Sequence, residues 1–84
     1  VKYLYFSAPW CGPCRMFGPI MEEVSKEIPV QKVNVDDEND LAMQYGVRSV
    51  PTIVLVNENG KELSRHVGVQ QKSMVLENYK SFSK

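Results

Sequence analysis

Only two cysteines, one tryptophan and one histidine occur in this chain of 84 residues. No apolar run approaches the roughly 18 residues that mark a membrane-spanning helix. Each shortage excludes something. A structural zinc site takes four ligands, and beyond the two cysteines the chain offers only His66 and carboxylates, so no metal is assigned. Two cysteines cannot build a multi-disulfide scaffold. A lone close pair fits a reducing compartment better than a secreted one, which favours the cytoplasm. Ten basic residues balance ten acidic ones, which removes any general attraction to nucleic acid or to an anionic membrane. No signal-peptide pattern is visible, as would also hold for a processed or trimmed chain. There is no repeat, linker or low-complexity segment, so residues 1–84 are read as a single domain with a thin core.

Both cysteines and the tryptophan fall in one stretch, Trp10-Cys11-Gly12-Pro13-Cys14. An i,i+3 pair in a first helical turn brings the Cα atoms within the roughly 4.4–6.8 Å a disulfide tolerates. Closing so short a loop stabilises by only about 2 kcal/mol, which suits a switch better than a clamp. A helix beginning just after Cys11 makes that residue the N-cap, its sulfur at the positive end of the helix dipole. Pro13 has no N–H, so the donor left for the cap is Cys14. Gly12 leaves the approach uncrowded and Pro13 pre-sets φ for the first turn. The Cys11 thiolate is thereby stabilised and its pKa expected to fall. Cys14, one turn further in, is expected to be less exposed and to resolve. A structural disulfide, a metal pair or a cluster shared by two chains are the bland alternatives.

The remaining pattern alternates strands and helices. Residues 1–6 read as a central strand, apolar at nearly every position. From Gly12 to about Ile28, Phe17, Ile20, Met21, Val24 and Ile28 recur at helical spacing. Pro19 bends that helix, Pro29 stops it, and Glu22 faces Lys26 at i,i+4. Met16 and Met21 read as core or surface filler. Residues 30–35 form a second, parallel strand at the sheet edge, with Gln31 and Lys32 discouraging further pairing. The acids of Asp36–Asp40 lack calcium-loop spacing and read as the start of a short helix, with Leu41 and Tyr45 inward and Gly46 as its C-terminal glycine. Residues 51–56 and 61–67 pair antiparallel across Glu58-Asn59-Gly60, the latter alternating inside and outside, with His66 exposed. A last helix over about 70–82 buries Val75, Leu76, Tyr79 and Phe82. The expected fold is α/β: a four-stranded mixed sheet, β-α-β-α-β-β-α, with helices on both faces.

The ordered set of Trp10–Cys14, Pro19, Lys32, Asp36, Tyr45-Gly46-Val47-Arg48, Val50-Pro51-Thr52, Asn59-Gly60 and Val67-Gly68 resembles the thioredoxins through nearly the whole chain. Thioredoxins are themselves the standing example of a lowered CxxC cysteine pKa, so only its direction carries over. The resemblance implies a thioredoxin-like fold in a minimal or trimmed form, without the family's usual first strand and helix. It implies reduction of protein disulfides, with Cys11 as nucleophile and Cys14 as resolver of a redox-active pair. Pro51 is expected to be cis beside that pair, turning the Val50 backbone toward an extended substrate, with Trp10, Gly12, Pro13 and Gly68 completing the groove. No bound cofactor is implied. An NADPH- or ferredoxin-dependent reductase recharges the protein, its partners are disulfide-bearing proteins, and the chain acts as a monomer.

One position departs from the family. A buried aspartate usual six residues before the first cysteine is here Tyr5, and the tryptophan usual two residues further on is Ser7. An unperturbed phenol holds its proton to about pH 10 and cannot serve as a carboxylate base. Water ordered by Tyr5 and Lys32 is the expected replacement, with Tyr5 as plain core the equal alternative. Rival functions are a glutaredoxin-like, glutathione-dependent reductase and a thiol-independent binding subunit of a larger complex. The Gly-Pro between the cysteines and the single Gly68 speak against the first. An oxidase or isomerase would differ in reduction potential.

Overall fold

The computed structural model describes residues 1–83. Seven elements follow in the expected order: β1 (Lys2–Ser7), α1 (Gly12–Ser25), β2 (Val30–Asn34), α2 (Asn39–Gln44), β3 (Thr52–Val56), β4 (Glu62–Val67) and α3 (Lys72–Phe82). The four strands form one mixed sheet in the order β2-β1-β3-β4. β1 runs parallel to β2, with Tyr3 opposite Val30, and antiparallel to β3, with Tyr3 opposite Leu55.

β1 and β3 are apolar at almost every position because both of their faces are covered. Tyr3, Tyr5, Ile53 and Leu55 pack under α1 and α3 against Phe17, Met21, Val24 and Val75. Leu4, Phe6, Val54 and Val56 turn the other way, toward Ala42 of α2. The period-2 alternation of two adjacent strands therefore builds two cores, one on each side of the sheet. A hydrogen-bond chain closes the α3 side: the Tyr3 hydroxyl donates to the Val75 carbonyl at 2.9 Å in a buried bond, and the half-buried Asn78 Nδ2 donates to Tyr3 and to Ser64.

Several local expectations give way to tertiary structure. α1 continues through Pro19 but ends at Ser25, short of Ile28, whose amide turns back onto the Val24 carbonyl. Lys26 pairs with Glu23 at 3.4 Å and not with Glu22. Asp36 lies in the turn before α2, and only Asp40 stands in that helix's first turn. β4 does not alternate cleanly. Its register against β3 slips between Leu55–Ser64 and Val56–Glu62, so Leu63 is the extra residue of a β-bulge. His66 is half-buried opposite Ile53, where exposure was expected. Phe82, in the last turn of α3, is 43% exposed and lies beyond the core.

Candidate active site

The site is built where β1 hands the chain to α1. Ser7 ends the strand, Ala8–Trp10 turn, and Gly12 opens the helix. Cys11 is the N-cap, in extended conformation, and the Cys14 backbone N–H donates to its Sγ at 3.2 Å. Pro13 leaves no closer donor, so the capping bond falls on Cys14 as the sequence requires. The two sulfurs are joined as a disulfide, with Cα atoms 5.3 Å apart. Gly12 and Pro13 are both exposed in front of the pair.

Both cysteines are buried, 4% exposed for Cys11 and 8% for Cys14, so the expected difference in depth is not present in the joined state. The reason lies in their cover: they cluster with Ala8, and Val35 and Val50 pack onto that cluster. Val50 arrives there on the loop after α2. The Val50–Pro51 peptide bond is cis. The Pro51 carbonyl accepts from the Gly68 N–H at 2.8 Å, which ties the end of β4 to the start of β3. Gly68 has φ +93, and a Cβ there would meet nothing within 4 Å. Its requirement for glycine is conformational, not steric.

Trp10 stands on the other flank, 68% exposed. Its Nε1–H donates to both carboxylate oxygens of Asp36 at 3.2 Å. Asp36 is itself set by a turn in which its amide donates to Asn34 Oδ1 at 2.9 Å. Between Trp10 and Val50 lies a cleft of about 230 Å³, also lined by Val35, Val47 and Ser49. Asp36 as the partner of Trp10 escaped the sequence reading, which assigned it to a helix start; no local signal links residues 26 apart.

Behind the disulfide the surface is hollow. A cavity of about 340 Å³ meets both sulfur-bearing residues together with Ser7, Lys32 and Asn34. A second, of about 450 Å³, runs on from Cys14 past Gly18 and Pro19 toward Val30. Tyr5 and Lys32 line both. Tyr5 is buried in the α1 core, its ring edge-on to Phe17 with centroids 5.6 Å apart. Burial pushes the Tyr5 phenol above its ordinary pKa, with hydrogen bonding to Ser7 acting the other way. Lys32 is exposed on the edge strand. No group of three or more His, Cys, Asp or Glu able to hold a metal occurs among the described residues.

A vicinal cysteine pair capping a helix against the central strand of a mixed α/β sheet defines the thiol–disulfide oxidoreductases. Within that class the relatives are consistent. The thioredoxin family model matches residues 2–81. Over 76 residues the chain is 43% identical to thioredoxin of Rickettsia felis, covering 86% of this chain and 71% of that protein. It is 46% identical over 72 residues to chloroplastic thioredoxin M5 of Oryza sativa, covering 81% of this chain and 41% of that one. The structure of a mutant thioredoxin from Halobacterium salinarum superposes with a TM-score of 0.89 at 35% identity, over 99% of this chain and 74% of the other. The chain belongs to the thioredoxin family and is a thiol–disulfide oxidoreductase. The glutaredoxin-like and thiol-independent readings are not favoured by these relatives.

Proposed function

We propose that the protein reduces disulfides of other proteins by two successive exchanges. The Cys11 thiolate attacks one sulfur of a substrate disulfide, forming a mixed disulfide and releasing the other substrate sulfur as a thiolate that takes up a proton. Cys14 then gives up its proton and attacks Cys11 Sγ. The second substrate thiolate leaves, and two electrons have passed from the cysteine pair to the substrate. The observation that carries this reading is the capping contact: the Cys14 N–H aimed at Cys11 Sγ stabilises the anion, and the same residue supplies the second thiol.

Trp10, Gly12, Pro13, Val50, Pro51 and Gly68 form the face on which an extended substrate segment docks. The cleft between Trp10 and Val50 supports that assignment. Tyr5 is core in this reading and also, with Lys32, borders the water-accessible hollow behind Cys14. Water there takes the proton that Cys14 loses, in place of a carboxylate. Residues 1–84 act as one thioredoxin-like domain, monomeric and in the cytoplasm, without a bound cofactor and recharged by an NADPH- or ferredoxin-dependent reductase. No helix among the described residues is long and apolar enough to cross a membrane.

The test is reduction of a disulfide-bearing protein with a dithiol as electron source. Cys11→Ser abolishes turnover, and Cys14→Ser accumulates a mixed disulfide visible by intact mass. Turnover that survives Cys11→Ser, or that needs glutathione as reductant, overturns the reading.

A further inference from the structure

We infer that Arg65 is a positioning residue for substrate docking: by clasping the C-terminal end of α2 it sets the Val50 backbone beside the cysteine pair. This rests on the dithiol mechanism and groove proposed above.

The β-bulge at Leu63 makes the arrangement possible. Residues three apart on a regular strand point to opposite faces. With Leu63 extra, Glu62 pairs with Val56 and Arg65 with Val54. Val54 and Val56 both face α2, so Glu62 and Arg65 share that face. There the Arg65 guanidinium donates a two-pronged bond to the Glu62 carboxylate, Nε to Oε2 at 2.9 Å and Nη2 to Oε1 at 2.7 Å. Nη2 also donates to the Tyr45 backbone carbonyl.

Tyr45 is the C-cap of α2. That helix has six residues, no side-chain N-cap bond and a single fully buried residue, Ala42. So short a helix does not hold itself. A cation on its last carbonyl complements both the unpaired acceptor and the negative end of the helix dipole. The Tyr45 hydroxyl donates in turn to the Gly60 carbonyl at 2.6 Å, on the turn that precedes β4. From Tyr45 the chain runs through Gly46, at φ +64, to Val50 and Pro51. Pro51 is held by Gly68 at 2.8 Å. The loop that lines the cleft is thus slung between two points of one strand region, Arg65 at one end and Gly68 at the other. Releasing the Arg65 end loosens the loop that carries Val50, leaving the Tyr45–Gly60 bond as the remaining hold at that end and the Cys14 N–H cap on Cys11 unaltered.

The experiment compares Arg65→Met and Arg65→Lys with the unmodified protein on two substrates. Steady-state reduction of insulin reads docking, and single-turnover reduction of a small aromatic disulfide by pre-reduced protein reads the thiol alone. Losing one charge-assisted hydrogen bond at the loop anchor raises KM for insulin about tenfold in Arg65→Met, with kcat and the small-disulfide rate within about twofold. Arg65→Lys, which keeps a donor for the carbonyl but not the fork with Glu62, falls between the two. An unchanged KM, equal losses on both substrates, or a lysine variant no better than methionine overturns the inference. Should Arg65→Met fail to fold, Glu62→Gln decides in the same way, with about a twofold rise in KM expected as the fork loosens and no rise counting against it. If the unmodified protein leaves insulin oxidised, it is the dithiol reading that fails, a result distinct from any of these.

Discussion

Asp36 and Tyr5 show how far a single side chain can steer this site. Trp10 is the sole tryptophan, and among the described residues its indole N–H is bonded to Asp36, at 3.2 Å. Asp36→Ala releases it, so the intrinsic fluorescence of the native protein shifts and KM for a protein substrate rises about two- to fivefold, while Asp36→Asn, which keeps an acceptor, stays near the starting values. A spectrum unchanged in Asp36→Ala contradicts that role. Tyr5 bears on the resolving step. Its phenol stays protonated because burial raises its pKa, so it supplies no base. Tyr5→Asp puts a carboxylate in the hollow beside Cys14 and speeds single-turnover resolution near neutral pH. It also forfeits the contact with Phe17 and lowers stability by about 3 kcal/mol, read from denaturant unfolding. No change in the resolution rate sinks the proposal that water serves in the absence of a carboxylate.

Among the elements, α1 and β4 illustrate what sequence carries and what it does not. The cap of α1 was legible because it is local: Pro13 removes one donor and leaves Cys14, and the structure has that bond. The helical spacing of Phe17, Met21 and Val24 was legible for the same reason, since periodicity reports which face is buried. β4 was not. Its bulge at Leu63 follows from pairing with β3, and the Arg65 contact to Tyr45 spans 20 residues; neither leaves a mark on local pattern. The hollowing behind Cys14 and the Asp36 tether are long-range in the same way. Gly68, which closes β4, carries its own test. With φ +93 and open space around the missing Cβ, Gly68→Ala costs about 1–2 kcal/mol through backbone strain alone. Urea unfolding measures it, and a value near zero contradicts the conformational reading.

For the whole molecule, two cores on one sheet mean that α2 is separated from α1 and α3 by the strands between them, and the site loop crosses over only where Val50 packs on the cysteine cluster. The expected topology, with β2 at the edge, emerged intact because continuous apolar strands and short amphipathic helices admit few other packings. Acid acts on the two sides differently. The hydrogen bond from Arg65 holds the Glu62 carboxyl below its ordinary range, opposed by burial and aided by the guanidinium charge. A carboxylate depressed in the folded state stabilises above its unfolded pKa, and that contribution is lost as pH falls through the folded value. The loop side therefore loosens modestly, the exposed pair being screened by solvent, as pH falls through the lowered Glu62 value, and Glu62→Gln flattens that acid limb of a stability-against-pH curve. At the site itself, everything depends on the anion held by the α1 cap. The most direct test is the pH dependence of alkylation of Cys11 in the reduced Cys14→Ser protein. The midpoint is expected clearly below the value of about 8.5 for a free cysteine, and a midpoint at or above that value contradicts a thiolate held by the cap.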